Sequence, residues 1–365
     1  MAVTLDVIRA LIRLAVRAEA AEAGVRDLVG TPARTWEEAL AVLEENRLIG
    51  RVGQALIEAD LAPIVPPSLE RHLRAVVAEK QARNHRRMSL WAELARELRA
   101  RSIQPVLLKS TALVALLHPD QAAHEMDDVD VLVTPEQLPA VEALLVARGF
   151  RRVDASSTTD WVDPSDALRL DLHSRFEMFG RIDLDALVIE RPATYPAGLS
   201  TVRVFHPDAN LAHLVFHMNA HRPSLGYRLR WICDIAVCLR TWGHELSWAR
   251  IRALLPDPRH RTWVLRVVRF CEGELGLALR GGLPAIAAGI DPFTLEEVLR
   301  SQRIAPWRLR RSPRGWVRLS ASLLGVRRAP HLLPQLPGDA LGWARDVIRE
   351  QRALHRAAQL ALATS

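Results

Sequence analysis

Two acidic residues alternate with apolar residues in the segment "DDVDVLV", which spans residues 127–133. If this segment is a strand, the side chains of Asp128 and Asp130 share one face, because alternate residues of a strand point the same way. A third acid, Asp171, stands between leucines in the strand-like run "LRLDLHSRF". Such an acid is costly to bury unpaired, so we expect it to face a cation or a cleft. The three carboxylates predict a hard oxygen site for Mg²⁺ or Mn²⁺.

A site of this kind serves the displacement of phosphoryl groups. Two metal ions about 3.5–4 Å apart can hold both the attacking and the leaving oxygen of an in-line displacement. Simpler interpretations stay open for each acid. Asp128 and Asp130 are also typical of a solvated acidic strand, and Asp171 is also typical of a salt bridge with an arginine. Asp127 is interpreted as a turn or capping residue.

The lysine and two hydroxyls of "LLKST" resemble the end of a phosphate-binding loop. That motif, G-x-x-x-x-G-K-[ST], places glycines five residues apart before the lysine. Counting back from Lys109, the two positions are Ile103 and Leu108, and neither is glycine. The backbone therefore cannot wrap a phosphate in that way, and we reject this type of loop.

Three histidines offer metal-ligand chemistry on weaker grounds. His217 and His221 are four residues apart, on one face of a predicted helix. No glutamate follows His217 as an H-E-x-x-H zinc motif requires, so a structural pair near the cleft is the preferred interpretation. For His173, two positions after Asp171, a structural role under the sheet is likewise preferred.

Asp234 stands three residues after Trp231 in another helical pattern. We interpret it as a structural acid. Its predicted partner is Arg228 or Arg230, through which the helical segment would close onto the acidic strand.

The elements around these residues predict an α+β fold with a small mixed sheet. Residues 1–102 show helical periodicity. Residues 103–205 alternate strand and helix patterns, and residues 206–299 are helical again. The last part, residues 300–365, is a basic region rich in Arg, Trp and Pro that ends in a helix. The prediction is thus an α/β core flanked by helical segments on both sides.

Composition limits the class of protein. The chain has 365 residues, a net charge of +7 and no apolar run long enough for a transmembrane helix. Its three cysteines do not form a disulfide framework, so a cytoplasmic location is the default expectation. The N-terminal segment is interpreted as an amphipathic helix of the fold, not as a signal peptide.

The basic C-terminal region holds nine arginines between Arg300 and Arg328. A run of this kind is usually a solvated face. Because Trp307 and Trp316 are interleaved with the arginines, contact with RNA or an acidic partner is a second interpretation.

Several of these features occur in the order typical of a known family. The series "LLKSTALVALLHPDQAAHEMDDVDVLV", then "LDLHSRF", then "HLVFHMNAHRPSLGYRLRWICDIAVCL", covers roughly residues 100–255. It resembles the uncharacterised bacterial nucleotidyltransferase family of the polymerase β-like nucleotidyltransferase superfamily, some members of which lie near peptide natural-product gene clusters. The resemblance implies transfer of a nucleoside monophosphate from an NTP to an unidentified acceptor, which is a small molecule, peptide, protein or RNA, with release of pyrophosphate.

The resemblance also implies roles for individual residues. Asp128 and Asp130 would bind the metal ions, and Asp171 would complete that site and act as general base. Lys109 and the hydroxyls of Ser110 and Thr111 would meet the triphosphate at a helix N-terminus, where backbone N–H groups favour anions.

Two positions depart from the family pattern. Ser110 replaces the glycine that follows the lysine, and His124 replaces an arginine ahead of the acidic strand. Both changes weaken the nucleotide end of the site and leave the metal end intact. A rival hypothesis therefore keeps the fold without turnover, as a partner-binding or regulatory module in a peptide natural-product pathway.

Overall fold

A computed structural model describes residues 2–116, 124, 126–153, 160–174, 185–193, 201–225, 227–279 and 282–303. The basic C-terminal region, except for its first residues up to 303, lies outside the described residues, and so does the predicted last helix. None of the helices in the described ranges combines the length and the hydropathy that a bilayer-spanning segment needs.

The described part of the N-terminal region is helical, as its periodicity predicts. Its helices are α1 (Ala2–Ala15), α2 (Ala21–Arg26), α3 (Ala33–Glu45), α4 (Ile49–Glu58) and α5 (Pro67–Ala100). Helix α5 has 34 residues and so measures about 51 Å at the usual rise per residue. Pro67 stands in its first turn, where proline leaves no intrahelical hydrogen bond unmade.

The strands of the described residues lie between residues 106 and 205. In chain order the elements there are β1 (Val106–Leu107), α6 (Lys109–Leu116), β2 (Val129–Leu132), α7 (Leu138–Ala147), β3 (Arg151–Arg152), β4 (Asp160–Val162), β5 (Arg169–His173), β6 (Val188–Pro192) and β7 (Thr201–Phe205). They form a seven-stranded sheet in the order β3-β4-β5-β2-β1-β7-β6. Strand β2 runs parallel to β5 and β1 runs parallel to β7, whereas the other pairs are antiparallel. The predicted α+β class with a mixed sheet is confirmed.

After the last strand, the described part of the chain is helical again. They are α8 (Pro207–Leu225), α9 (Leu229–Trp242), α10 (Trp248–Leu254), α11 (Pro258–Gly273), α12 (Leu283–Ala287) and α13 (Leu295–Arg303). Ser247 and Asp257 cap the N-termini of α10 and α11 through side-chain oxygens, as expected for these residue types.

The helices from both ends of the described chain share one apolar core. Buried residues of α1, such as Leu11, belong to the same cluster as Trp263 of α11. Arg9 and Arg13 of α1 reinforce this packing, because both donate hydrogen bonds of 2.9 Å to Glu274. A second core forms where the sheet meets α7 and the C-terminal half of α5. The domain boundaries expected from the sequence remain predictions.

Candidate functional site

The register of two neighbouring strands brings the acidic residues together. Strand β2 pairs with β5 so that Asp130 lies opposite Asp171, and Leu132 lies opposite His173. Asp128 is in the bend just before β2. A parallel register of this kind sets paired residues on the same face of the sheet. The carboxylates of Asp130 and Asp171 therefore lie next to each other on the same face of the sheet.

Asp130, Asp171 and His173 form a group that offers three ligand atoms. One atom from each residue lies within 4.8 Å of the other two. Carboxylate oxygens suit Mg²⁺ and Mn²⁺, and an imidazole is accepted more readily by Mn²⁺ than by Mg²⁺. The sequence assigned His173 a structural role and missed this position. The alternation in "LDLH" is the sequence feature that places it on the same face as Asp171.

Two cationic groups neutralise these carboxylates. The ammonium Nζ of Lys109 lies 2.5 Å from Oδ1 of Asp130 and 3.6 Å from Oδ2 of Asp171. The Nε2 atom of His173 lies 2.9 Å from Oδ2 of Asp171. Burial lowers the pKa of His173, but contacts with the two carboxylates outweigh burial and raise that pKa to about 9. The imidazole is therefore protonated at neutral pH in the metal-free site, and it would lose that proton on binding a metal ion. The two cations supply charge that a metal ion can replace.

Asp128 contributes to the electrostatics of the group. It is half-buried, and burial, with the nearby charges of Asp130 and Asp171, raises its pKa to about 6. Lys109 acts in the opposite direction and keeps the pKa from rising further. A raised pKa means that the fold disfavours the ionised form of Asp128, which dominates above pH 6. A cation bound beside it would relieve this cost.

The side chains expected to meet phosphate have partners within the protein. Thr111 accepts a hydrogen bond of 3.0 Å from the backbone N–H of Asp130, so it fixes α6 against β2. Ser110 donates a hydrogen bond of 3.0 Å to Oδ2 of Asp234. Lys109 reaches the acids from a left-handed backbone conformation, φ 48°, at the start of α6. Contact of these three residues with a nucleotide remains a prediction.

Asp234 is the centre of a buried polar network. Its partner is not Arg228 or Arg230, as expected, but Arg51 of α4, whose Nη2 donates a hydrogen bond of 2.7 Å to Oδ1. His124 completes the network, because its Nε2 lies 3.3 Å from the same oxygen and its Nδ1 contacts Arg51. Asp234 is 1% exposed and Arg51 is 8% exposed. The network joins α4 and α9 to the first turn of α6, next to Lys109.

The helical histidines pack with aromatic rings. His217 of α8 contacts the ring of Trp231 edge-on, with centroids 5.2 Å apart. It also lies near His213, which is buried and whose pKa is lowered by burial and by the charges of Lys109 and His173. These contacts give His217 ring partners within the protein, whereas the structural pair with His221 remains a prediction. The side chain of His221 is outside the described residues.

Lys109 offers a test of whether this place accepts a metal. In Lys109→Met, the carboxylates of Asp130 and Asp171 lose the ammonium that lies on both of them, so the free energy of unfolding should fall by about 2 kcal/mol in metal-free buffer. Added Mg²⁺ or Mn²⁺ should restore more stability to this variant than to the wild type, because the ion takes the place of the ammonium. Urea unfolding with and without metal measures both effects.

The matched control is Lys80→Met, which removes the other lysine of the chain, half-buried on α5. Lys80→Met should show no extra stabilisation by metal. An equal response of the two variants to metal would contradict the assignment of a cation site at Asp130 and Asp171.

The chain matches a protein family described as "Uncharacterised nucleotidyltransferase" over residues 32–275. No curated protein matches the sequence. Among solved structures, the solution structure of the antibiotic-resistance factor ANT(2'')-Ia matches with a TM-score of 0.36 and 14% sequence identity, over 50% of this chain and 98% of that chain. The family match spans more than half of the chain and contains the sheet with its acidic strand pair. The protein therefore belongs to the family of uncharacterised nucleotidyltransferases.

Proposed function

We propose that the protein is a nucleotidyltransferase that uses Mg²⁺ or Mn²⁺ to move a nucleoside monophosphate from an NTP to an acceptor. The observation that carries this proposal is the group formed by Asp130, Asp171 and His173, with Lys109 as its counterion. In the reaction, an acceptor hydroxyl or other nucleophile forms a bond to the α-phosphorus. The bond from that phosphorus to the bridging oxygen breaks, and pyrophosphate leaves with the electron pair.

The residues of the chain divide this work between binding and proton transfer. Asp130 and Asp171 would hold the metal ion, and Asp128 would join them as its proton is lost. When bound, the ion supplies positive charge that stabilises the developing anion and aligns the reacting oxygens. Asp171 lies at the more open side of the pair, with its side chain 19% exposed against 7% for Asp130. This exposure favours Asp171 as the group that accepts the proton of the incoming nucleophile.

In a second candidate function, the protein has the nucleotidyltransferase fold but does not catalyse nucleotidyl transfer. Its support is that Ser110 and Thr111 are engaged inside the protein, and that Lys109 lies on the carboxylates. A protein of this kind would serve as a partner-binding or regulatory module. A role in a peptide natural-product pathway, contact of residues 300–328 with RNA or an acidic partner, and a cytoplasmic location all remain predictions.

Calorimetric titration separates the two candidates. Non-hydrolysable analogues of each NTP are titrated into the wild type and into Asp130→Asn/Asp171→Asn, with Mg²⁺, with Mn²⁺ and without metal. Transfer activity requires binding that depends on metal and disappears in the double variant. If the affinity for the nucleotide were the same with and without metal, and the same in the double variant as in the wild type, the proposed metal site would be contradicted. A folded wild type that binds no nucleotide with either ion would favour the module without turnover.

A further inference from the structure

Arginines from two distant parts of the chain converge next to the acidic strand. Arg47 follows α3, and Arg230 lies in the first turn of α9. Arg47 pairs with Oδ2 of Asp127, and Nη1 of Arg230 lies 3.4 Å from the same oxygen. One carboxylate oxygen is thus shared by two guanidinium groups. We call Arg47, Arg228 and Arg230 the arginine cluster.

Arg228 completes the cluster electrostatically. Burial lowers its pKa, and the positive charges of Arg230 and Arg47 lower it further, whereas Glu45 raises it. Its Nη1 donates a hydrogen bond of 3.3 Å to the backbone oxygen of Glu45. The charges of Arg230 and Arg47 therefore oppose that of the Arg228 guanidinium. An anion bound among them would lower the energy of this arrangement.

The arginine cluster is accessible and lies beside the proposed metal site. The side chains of Arg47, Arg230 and Asp127 are 46%, 25% and 44% exposed. Asp127 directly precedes Asp128 in the chain and stands three residues before Asp130. Three residues of extended chain span at most about 11 Å, so a ligand of modest length can touch both places.

The chemistry of the cluster fits a polyphosphate. A guanidinium presents its N–H donors in a planar fork that matches phosphate oxygens, and it stays charged at any physiological pH. The residues that the sequence offered for this task are Lys109, Ser110 and Thr111. The Lys109 ammonium lies on the carboxylates of Asp130 and Asp171, and the two hydroxyls make contacts within the protein. The arginine cluster provides positive charge in addition to that ammonium.

We propose that the arginine cluster binds the polyphosphate chain of the nucleotide, and that Asp127 occupies this anion site when no nucleotide is bound. This inference rests on the proposed function for the identity of the ligand. It assigns a part in substrate binding to Arg47, which belongs to the N-terminal helical region and not to the strand-containing core. It also gives Asp127 an effect opposite to that of the arginines, because its carboxylate competes with phosphate for the same donors.

Binding of inorganic tripolyphosphate to the full chain, followed by calorimetry in metal-free buffer, tests the proposal. Arg47→Gln and Arg230→Gln should each weaken binding about tenfold, the effect of losing one charge-assisted contact. Asp127→Asn should tighten binding several-fold, because it removes the competing carboxylate. Binding should also fall as ionic strength rises. Circular dichroism and thermal unfolding establish that each variant is folded as the wild type is.

The matched control is Arg26→Gln, which removes an exposed arginine paired with Glu22 on α2. It changes the net charge equally, so it should leave binding unaltered. If Arg26→Gln weakened tripolyphosphate binding equally, the loss of affinity would follow from net charge alone, and the proposal would be overturned. Unchanged binding in the Arg47 and Arg230 variants would also overturn it, because the anion would then bind elsewhere, as on the basic segment 300–328. A loss of affinity in Asp127→Asn, or no binding in either wild type or Asp127→Asn, would overturn it too.

Failure of this proposal can be distinguished from failure of the proposed function. If only the arginine cluster is wrongly assigned, metal-dependent binding of the NTP analogues persists in Arg47→Gln with wild-type affinity. If only the transferase assignment is wrong, tripolyphosphate still binds through the cluster, but neither Mg²⁺ nor Mn²⁺ changes the affinity for a nucleotide.

Discussion

Asp130→Asn should weaken Mn²⁺ binding more than a hundredfold. Asp130 is the most buried acid of the group, 5% exposed, and stands in the centre of the sheet between β5 and β1. An amide there loses the negative charge that attracts the ion. Loss of an outer-shell partner of a metal ligand alone typically costs about 10–100-fold in affinity, so loss of a ligand itself should cost more. Electron paramagnetic resonance of free Mn²⁺ in a titration measures the affinity directly.

Two further variants make this result specific. Asp171→Asn should reproduce the loss, because Asp171 is the register partner of Asp130 on β5. Asp166→Asn should have no effect, since Asp166 is an exposed residue paired with Arg151. Its left-handed backbone, φ 56°, is one that asparagine tolerates well, so the control should fold normally. Equal Mn²⁺ affinity in Asp130→Asn and the wild type would remove the basis of the proposed function.

Asp234→Ala should lower the free energy of unfolding by about 3–5 kcal/mol, the usual cost of breaking a buried ion pair from one side. The variant leaves the Arg51 guanidinium buried without its carboxylate, and it removes the acceptor of the Ser110 hydroxyl. Urea unfolding measures the loss, and an unchanged dependence on urea concentration shows that the change lies in stability and not in compactness.

The double variant Arg51→Met/Asp234→Leu tests whether the loss of stability comes from the unpaired buried charge. It removes both charges and fills the space with apolar atoms, so it should be more stable than Asp234→Ala. The exposed pair of Arg151 and Asp166 serves for comparison, because Asp166→Asn removes that ion pair, keeps a residue that tolerates the left-handed backbone, and should cost less than about 1 kcal/mol. If Asp234→Ala were as mild as Asp166→Asn, the network would not hold α4 and α9 to the first turn of α6.

Local pattern in the sequence determined much of the proposed site. Alternation in "DDVDVLV" and "LRLDLHSRF" predicts two strands with acids on one face, and both strands are present. Changes of periodicity predict a mixed sheet flanked by helices, and the ordered series of motifs gives the family. These properties are readable because strand and helix periods act over a few neighbouring residues.

The tertiary structure alone decided which charged groups meet. Lys109 pairs with an acid 21 positions away, and Arg51 pairs with Asp234 over 183 positions. The sequence proposed Arg228 or Arg230 for Asp234, because those residues are near it along the chain. Strand register placed His173 beside the acids, and helix packing brought Arg47 to Asp127. Such pairs depend on how distant elements pack, and a chain with 49 lysines and arginines offers many candidate partners for every acid. Local periodicity gives no means of choosing among them.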